Sequence, residues 1–255
     1  MRMRHMQADY TRVFQDPEAV AKYHDQTYAS GTFSSVVSQR QRQWLRGFVA
    51  ESFETPPVQH DFACGTGRAI RMLEGLVSRA HGYDTSEAML AKATELDTVA
   101  RLHLVGTTGP LPSDTDRPAI VTIFRLLLNA SDEVRDRALE FAAGMLPDAD
   151  AGLLVCENHG NRGSLRHLTS VFGALDTERW FAELGDADVV ELFNRHGFEI
   201  VARQGFTLLT QGFYRRAPLK WLVPVDDIVA RRRWSAKVAT NVLYVARRKA
   251  PSPAR

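Results

Sequence analysis

The sequence predicts an α/β protein built on a doubly wound, mostly parallel sheet. Three observations predict it. Apolar, β-rich runs alternate with helical periodicity from about residue 56 onward. The first run ends in His60-Asp61-Phe62-Ala63-Cys64-Gly65-Thr66-Gly67-Arg68, a strand feeding a glycine turn and a helix. The second ends in Gly82-Tyr83-Asp84, which puts a carboxylate 19 residues past Gly65. Sheets of this kind hold a ribose diol with an acid at that distance, so the pattern implies a nucleoside-containing ligand.

The elements follow in order. Residues 1–55 read as an N-terminal helical cap over the ligand, because Val36, Val37, Trp44, Leu45, Phe48 and Val49 recur at helical spacing. Arg40 falls on the same inward stripe, and a charge on an apolar face needs a partner. From 56 to 249 the chain reads as the α/β core. Strands are expected at 58–63, 80–84, 100–105, 119–124, 152–157, 198–204 and 241–246. Helices are expected at 68–77, from Ser86 or Glu87 to 96, at 132–145, after Gly163, and at 187–196 with Gly197 as the stop. Thr85 or Ser86 and Ser131 suit N-caps. Residues 206–236 show no clear period and carry Phe213, Tyr214, Trp221 and Trp234 among arginines. Residues 250–255 read as a frayed tail.

The turn discriminates between ligands. Gly65 and Gly67 can take φ > 0 and let backbone N–H groups approach a ligand. A dinucleotide site adds a third glycine three residues on, but Ile70 stands there, and bulky Arg68 opens the helix. Both argue against a pyrophosphate and hence against a nicotinamide oxidoreductase. The block Asp61 to Arg68, with Asp84-Thr85-Ser86-Glu87-Ala88-Met89-Leu90, resembles the first two motifs of the class I S-adenosylmethionine (SAM)-dependent methyltransferases, of the D-x-A-C-G-T-G-R type. The likeness is dense from Asp61 through Ala91 and looser to the last strand. It implies a Rossmann-like, seven-stranded sheet whose last strand inserts antiparallel, SAM as cofactor and S-adenosylhomocysteine (SAH) as product.

Carried onto this chain, the resemblance implies cofactor contacts from Ala63, Cys64, Gly65, Gly67, Asp84, Thr85, Met89 and Phe124, with Tyr28 and Arg40 reaching in from the cap. Arg40 would meet the methionine carboxylate, or else snorkel to solvent. After strand three the family carries an acid for the adenine amino group, where this chain has Thr107-Thr108. Arg125, after strand four, would stand close to a cationic sulfonium, so it should pair with an acid or face an anionic acceptor. Arg162, Arg166 and the run Arg231 to Arg233 could add to that field, although surface ion pairs suit the run better. His159, in Glu157-Asn158-His159-Gly160-Asn161 after strand five, is the expected general base if one is used. The acceptor pocket is expected from the cap, the loop after strand five and residues 206–236.

Composition bounds the rest. Hydrophobic residues make up 44% and charged ones 24% of 255 residues, with a net charge of +2, too small to imply nucleic acid by itself. The Asn-Pro-Pro-Tyr type tetrad of nucleic-acid amino methyltransferases is missing after strand four. Cys64 and Cys156 suggest no disulfide framework, and the histidines show no metal-ligand spacing. No apolar run approaches a membrane span and no secretory signal opens the chain, so a cytoplasmic setting is expected. The expected partner is a small-molecule methyl acceptor in specialised or cell-envelope metabolism. An RNA methyltransferase and a non-catalytic SAM binder are the rival readings.

Overall fold

A computed structural model describes residues 14–29, 31–114, 116–172, 183–215 and 221–250, without the side chains of 24–26, 28, 169–172, 215 and 233. The expected frayed tail and the first part of the cap lie outside the described residues. Among the described residues two helices precede the sheet: α1 (Pro17–Tyr28) and α2 (Phe33–Ser52). Asp16 caps α1 by accepting from Glu18 N–H, and Thr32 caps α2 by accepting from Ser35 N–H.

The core then alternates: β1 (Val58–Phe62), α3 (Arg68–Leu73), β2 (Arg79–Asp84), α4 (Glu87–Glu95), β3 (Arg101–Leu104), β4 (Ala119–Ile123), α5 (Asp132–Met145) and β5 (Gly152–Asn158). Ser86 and Ser131 cap α4 and α5. After α6 (Leu165–Phe172) and α7 (Asp186–Arg195), Gly197 takes φ +74° and turns the chain into β6 (Phe198–Thr207). Short α8 (Gln211–Arg215), α9 (Leu222–Ala230) and a 3₁₀ turn (Arg233–Lys237) lead to β7 (Asn241–Arg248).

The seven strands lie in the order β3-β2-β1-β4-β5-β7-β6. β7 inserts between β5 and β6 and is antiparallel to both; every other pairing is parallel. This is the Rossmann-like doubly wound sheet, with its strand order reversing between β1 and β4.

Alternation along the central strands splits the core. On β4, Val121 and Ile123 pack with Phe141, Leu139 and Phe193 on one face. Ile120, one residue before Val121, packs with Leu45, Leu73 and Val155 on the other. β7 does the same, with Tyr244 on the first face and Leu243 and Val245 on the second. Strands buried on both faces are what a parallel sheet under two helical layers requires.

β1 breaks the apolar rule, since Gln59, His60 and Asp61 are buried. Each has a partner across the sheet. Thr122 Oγ1 donates to Asp61 Oδ1 at 2.6 Å and accepts from Gln59 Nε2 at 3.2 Å, and His60 Nδ1 lies 3.2 Å from Tyr83 Oη.

Residues 206–236 are more regular than the sequence suggests. Pro224 sits in the first turn of α9, where its missing N–H is harmless, and Val223, Val225, Ile228 and Val229 hide the helical signal behind β-branched side chains.

Candidate functional site

A cleft opens at the carboxyl ends of β1 to β4, at the switch point where open α/β sheets bind ligands. Its floor is the turn after β1. Ala63, Gly65 and Gly67 take φ of +54°, +53° and +78°, so the backbone reverses in five residues. Gly67 is also too closely packed for a side chain, because a Cβ there would come within 2.6 Å of Thr98. The left-handed Ala63 is a strain that sequence reading, attentive to glycines, does not find. Arg125, directly across at the end of β4, is the second such residue lining the cleft, at φ +58°.

Asp84 closes the turn from the side. Its Oδ2 accepts from Gly65 N–H at 2.7 Å and its Oδ1 from Ser86 N–H at 2.9 Å. Burial raises its pKa, against the pull of those N–H groups. Asp61 lines the cleft beside it. Burial pushes its pKa up to about 7, opposed by the Thr122 hydrogen bond and by Arg68.

Phe14 and Tyr23 form the outer wall, edge to face at 5.0 Å. Gln15 Nε2 donates to Thr85 O at 3.2 Å, and Ser86 Oγ donates to Phe14 O. The segment before α1 is thus clamped to the loop that carries Asp84. Apolar contact comes from Met89, Val105, Phe62 and Phe124. Arg68 stacks over Phe124 at 5.1 Å and pairs with Glu157 at 2.5 Å. Burial alone would raise the Glu157 carboxyl, but Arg68 overrides it and holds the pKa at about 2. Arg137 donates to Gly106 O and Gly109 O at the rim.

Of the residues expected from sequence, Ala63, Cys64, Gly65, Asp84, Thr85, Met89, Thr107, Phe124 and Arg125 line this cleft. Gly67 and Thr108 stand just outside its lining. The Tyr28 side chain lies outside the described residues.

Two more of the expected residues are absent from the lining of this cleft. Arg40 neither reaches the cleft nor snorkels: it pairs with Asp226 at 3.2 Å and Asp227 at 3.0 Å, and donates to Phe206 O and Val223 O. Asp226, Asp227 and Val223 sit on α9, which the sequence did not disclose, and Phe206 on β6. His159 is buried and does not line the cleft, although Arg125, which does, is its neighbour. Burial and then Arg125 lower its pKa to about 3, opposed by Glu157.

Among the described residues, neither the loop after β5 nor 206–236 lines the cleft. Asn158 donates to Leu184 O, and Asn161 to Lys237 O and Ala239 O, so they staple loops together. Arg162 pairs with Asp188 at 2.6 Å, Arg166 donates to His159 O, and Arg231 pairs with Asp227 at 2.8 Å. Asp61, Phe14, Tyr23, Arg68 and Arg137 are among the lining residues that sequence reading left out of the site. Of these five, Asp61 and Arg68 had a signal, as members of the turn block.

No protein-family model and no curated protein matches the sequence. Solved structures do. A DhpI–SAM–HEP complex superposes with a TM-score of 0.61 at 14% identity, over 95% of this chain and 98% of that one. The chain has the Rossmann-like methyltransferase fold. Magnesium protoporphyrin IX methyltransferase (ChlM) from Synechocystis PCC 6803, with bound SAH, gives 0.57 at 14% identity, over 95% and 99%. The [4+2]-cyclase SpnF gives 0.58 at 14% identity, over 96% and 98%. Among the described residues no group of histidine, cysteine or acidic side chains is placed to hold a metal, and no helix is long and apolar enough to cross a membrane.

Proposed function

We propose that this chain is a SAM-dependent methyltransferase acting on an oxygen or nitrogen of a small, anionic molecule. The observation that carries the reading is the pair of carboxylates, half-buried Asp84 and buried Asp61, at the left-handed turn of the switch-point cleft. Their chemistry suits a cationic, ribose-bearing ligand without phosphate. Asp84 would accept from the ribose hydroxyls while Gly65 and Ser86 hold it in place. Asp61 would face the amino-acid ammonium. Met89 and Val105 would flank the adenine, with Thr107 in place of the usual acid.

When bound, SAM supplies an electrophilic methyl group. The protein's task is then to align an acceptor and exclude water, which Phe14, Tyr23 and Phe124 serve. Arg68 carries its counter-charge in Glu157 and so adds little net repulsion to a sulfonium. Arg125 is the side chain assigned to the acceptor's anionic group. Replacing it with alanine should raise the acceptor's KM and spare SAM affinity.

A second reading has one observation behind it: SpnF, a neighbour of comparable likeness, is a [4+2]-cyclase. Calorimetric titration with SAM and SAH, followed by SAH release in the presence of an acceptor panel, separates the readings. Binding with SAH release supports methyl transfer, and binding with none across the panel favours a SAM-binding protein of other chemistry. Failure of the folded protein to bind either ligand defeats both.

A further inference from the structure

The outer face of α9 is apolar, exposed and rimmed by positive charge. Trp221, Val225 and Ile228 fall at i, i+4 and i+7, on one side of the helix. They are 69%, 50% and 60% exposed. The opposite side is the packed one. Asp226 and Ala230 are buried, and Asp226 accepts from Leu208 N–H, Leu209 N–H and Arg40. The face is therefore fixed outward by a network at its back. The adjoining 3₁₀ turn adds Trp234, 59% exposed, and Val238 follows it at the surface.

Charge decides what this face fits. Among the exposed described residues of 221–238, every charged one is basic: Arg231, Arg232 and Lys237. The acids of the segment are turned away, Asp226 into the core and Asp227 between Arg40 and Arg231. A short helix and turn with two exposed tryptophans, exposed aliphatic side chains between them and a basic rim have the make-up of an interfacial membrane-binding segment. Nucleic acid would use the tryptophans and arginines but has no use for Val225, Ile228 and Val238.

We propose that the face formed by α9 and the following turn docks on an anionic lipid bilayer, with Trp221, Val225, Ile228 and Trp234 entering the interface and Arg232 and Lys237 meeting lipid phosphates. The cleft at the ends of β1 to β4 shares no lining residue with this face, so the proposal does not depend on the function given above.

The test uses the full chain with two kinds of vesicle, pure phosphatidylcholine and phosphatidylcholine mixed with phosphatidylglycerol. Flotation with the mixed vesicles and a blue shift of tryptophan emission are expected, with far weaker binding to the zwitterionic ones. Trp221→Ser with Ile228→Ser should abolish both signals. Arg232→Glu and Lys237→Glu should each cut binding about fivefold for the charge lost, and more for the charge gained. All these variants should melt as the parent does, because the residues are exposed. No flotation, equal flotation of both vesicle types, or flotation undiminished in the double serine variant overturns the proposal. So does a dimer that Ile228→Ser dissolves in the absence of vesicle binding, which would assign the face to a second copy. RNA binding without vesicle binding would assign it to nucleic acid.

Discussion

Arg68 and Glu157 meet at 2.5 Å beneath the cleft, the guanidinium from the first turn of α3 and the carboxylate from the end of β5. Gln41 of α2 completes the contact: its Nε2 donates to Glu157 at 2.7 Å, and its Oε1 accepts from Arg68 at 2.9 Å. Three elements far apart in sequence are tied by one satisfied network, with Gln41 and Glu157 buried. Removing one charge strands the other in a dry setting. Glu157→Gln should therefore cost about 3 kcal/mol in denaturant unfolding at neutral pH, and adding Arg68→Met should recover much of it. A loss below about 1 kcal/mol would mean that water reaches the pair and screens it.

Asp84→Ala tests the ribose assignment. The wild-type carboxylate is already oriented by two backbone N–H groups, so its remaining acceptor capacity is fixed in direction. Its loss should weaken SAM and SAH binding tenfold or more, the roughly 1.5–3 kcal/mol of hydrogen bonds to a charged group. Titration calorimetry reads this directly. Unchanged affinity would remove Asp84 from the ligand site.

Asp61 predicts a pH dependence of opposite sign in the free and bound protein. Its folded pKa, near 7, stands above the usual 3.8 because it is buried. The folded chain thus holds an extra proton between about 4 and 7, and the stability from that proton is lost as pH rises through 7. A bound cation favours the ionised form. SAM affinity should then fall as pH drops below 7, by at most about tenfold per pH unit. Asp61→Asn should bind more weakly and flatten both profiles. A wild-type affinity constant between pH 6 and 8 would separate Asp61 from the cationic part of the ligand.

Much of this was legible because it is local. Turn glycines, helix caps and an acid at a set distance are written in adjacent residues, and Gly65, Ser86, Ser131 and Asp84 could be placed from them. The sheet's alternation was legible for the same reason, since both faces of β4 and β7 are apolar. What failed was long-range pairing. Arg40 needed a partner, and nothing near it in sequence says that Asp226 and Asp227 lie beside it. His159 follows a strand at the correct end of the sheet, but burial beside Arg125 is a tertiary fact. Phe14 and Tyr23 reach the cleft only because the segment before α1 folds back on the β2–α4 loop.

A row of histidines gives the last prediction. His60, His81 and His103 lie on neighbouring strands β1, β2 and β3, their rings stacked at 5.3 and 5.4 Å, with Tyr83 4.8 Å from His103. His81 Nδ1 and His103 Nε2 are 3.1 Å apart, a hydrogen bond that needs one ring neutral. Burial lowers all three pKa values. For His60 the result is about 4, with His81 and Arg79 adding to burial and Asp114 opposing it. A histidine depressed on folding takes its proton first in the unfolded chain. Stability should thus be complete above pH 6.5 and decline as pH falls toward 4, by at most about 1.4 kcal/mol per pH unit for His60, with His81 and His103 adding in the same direction. Asp61 acts with the opposite sign over part of this range, so the measurement belongs in the Asp61→Asn background. There, His60→Phe, which keeps a stacked ring but cannot titrate, should lower the acid slope by one proton. An unchanged slope would mean that His60 binds its proton in the folded chain as readily as in the unfolded one.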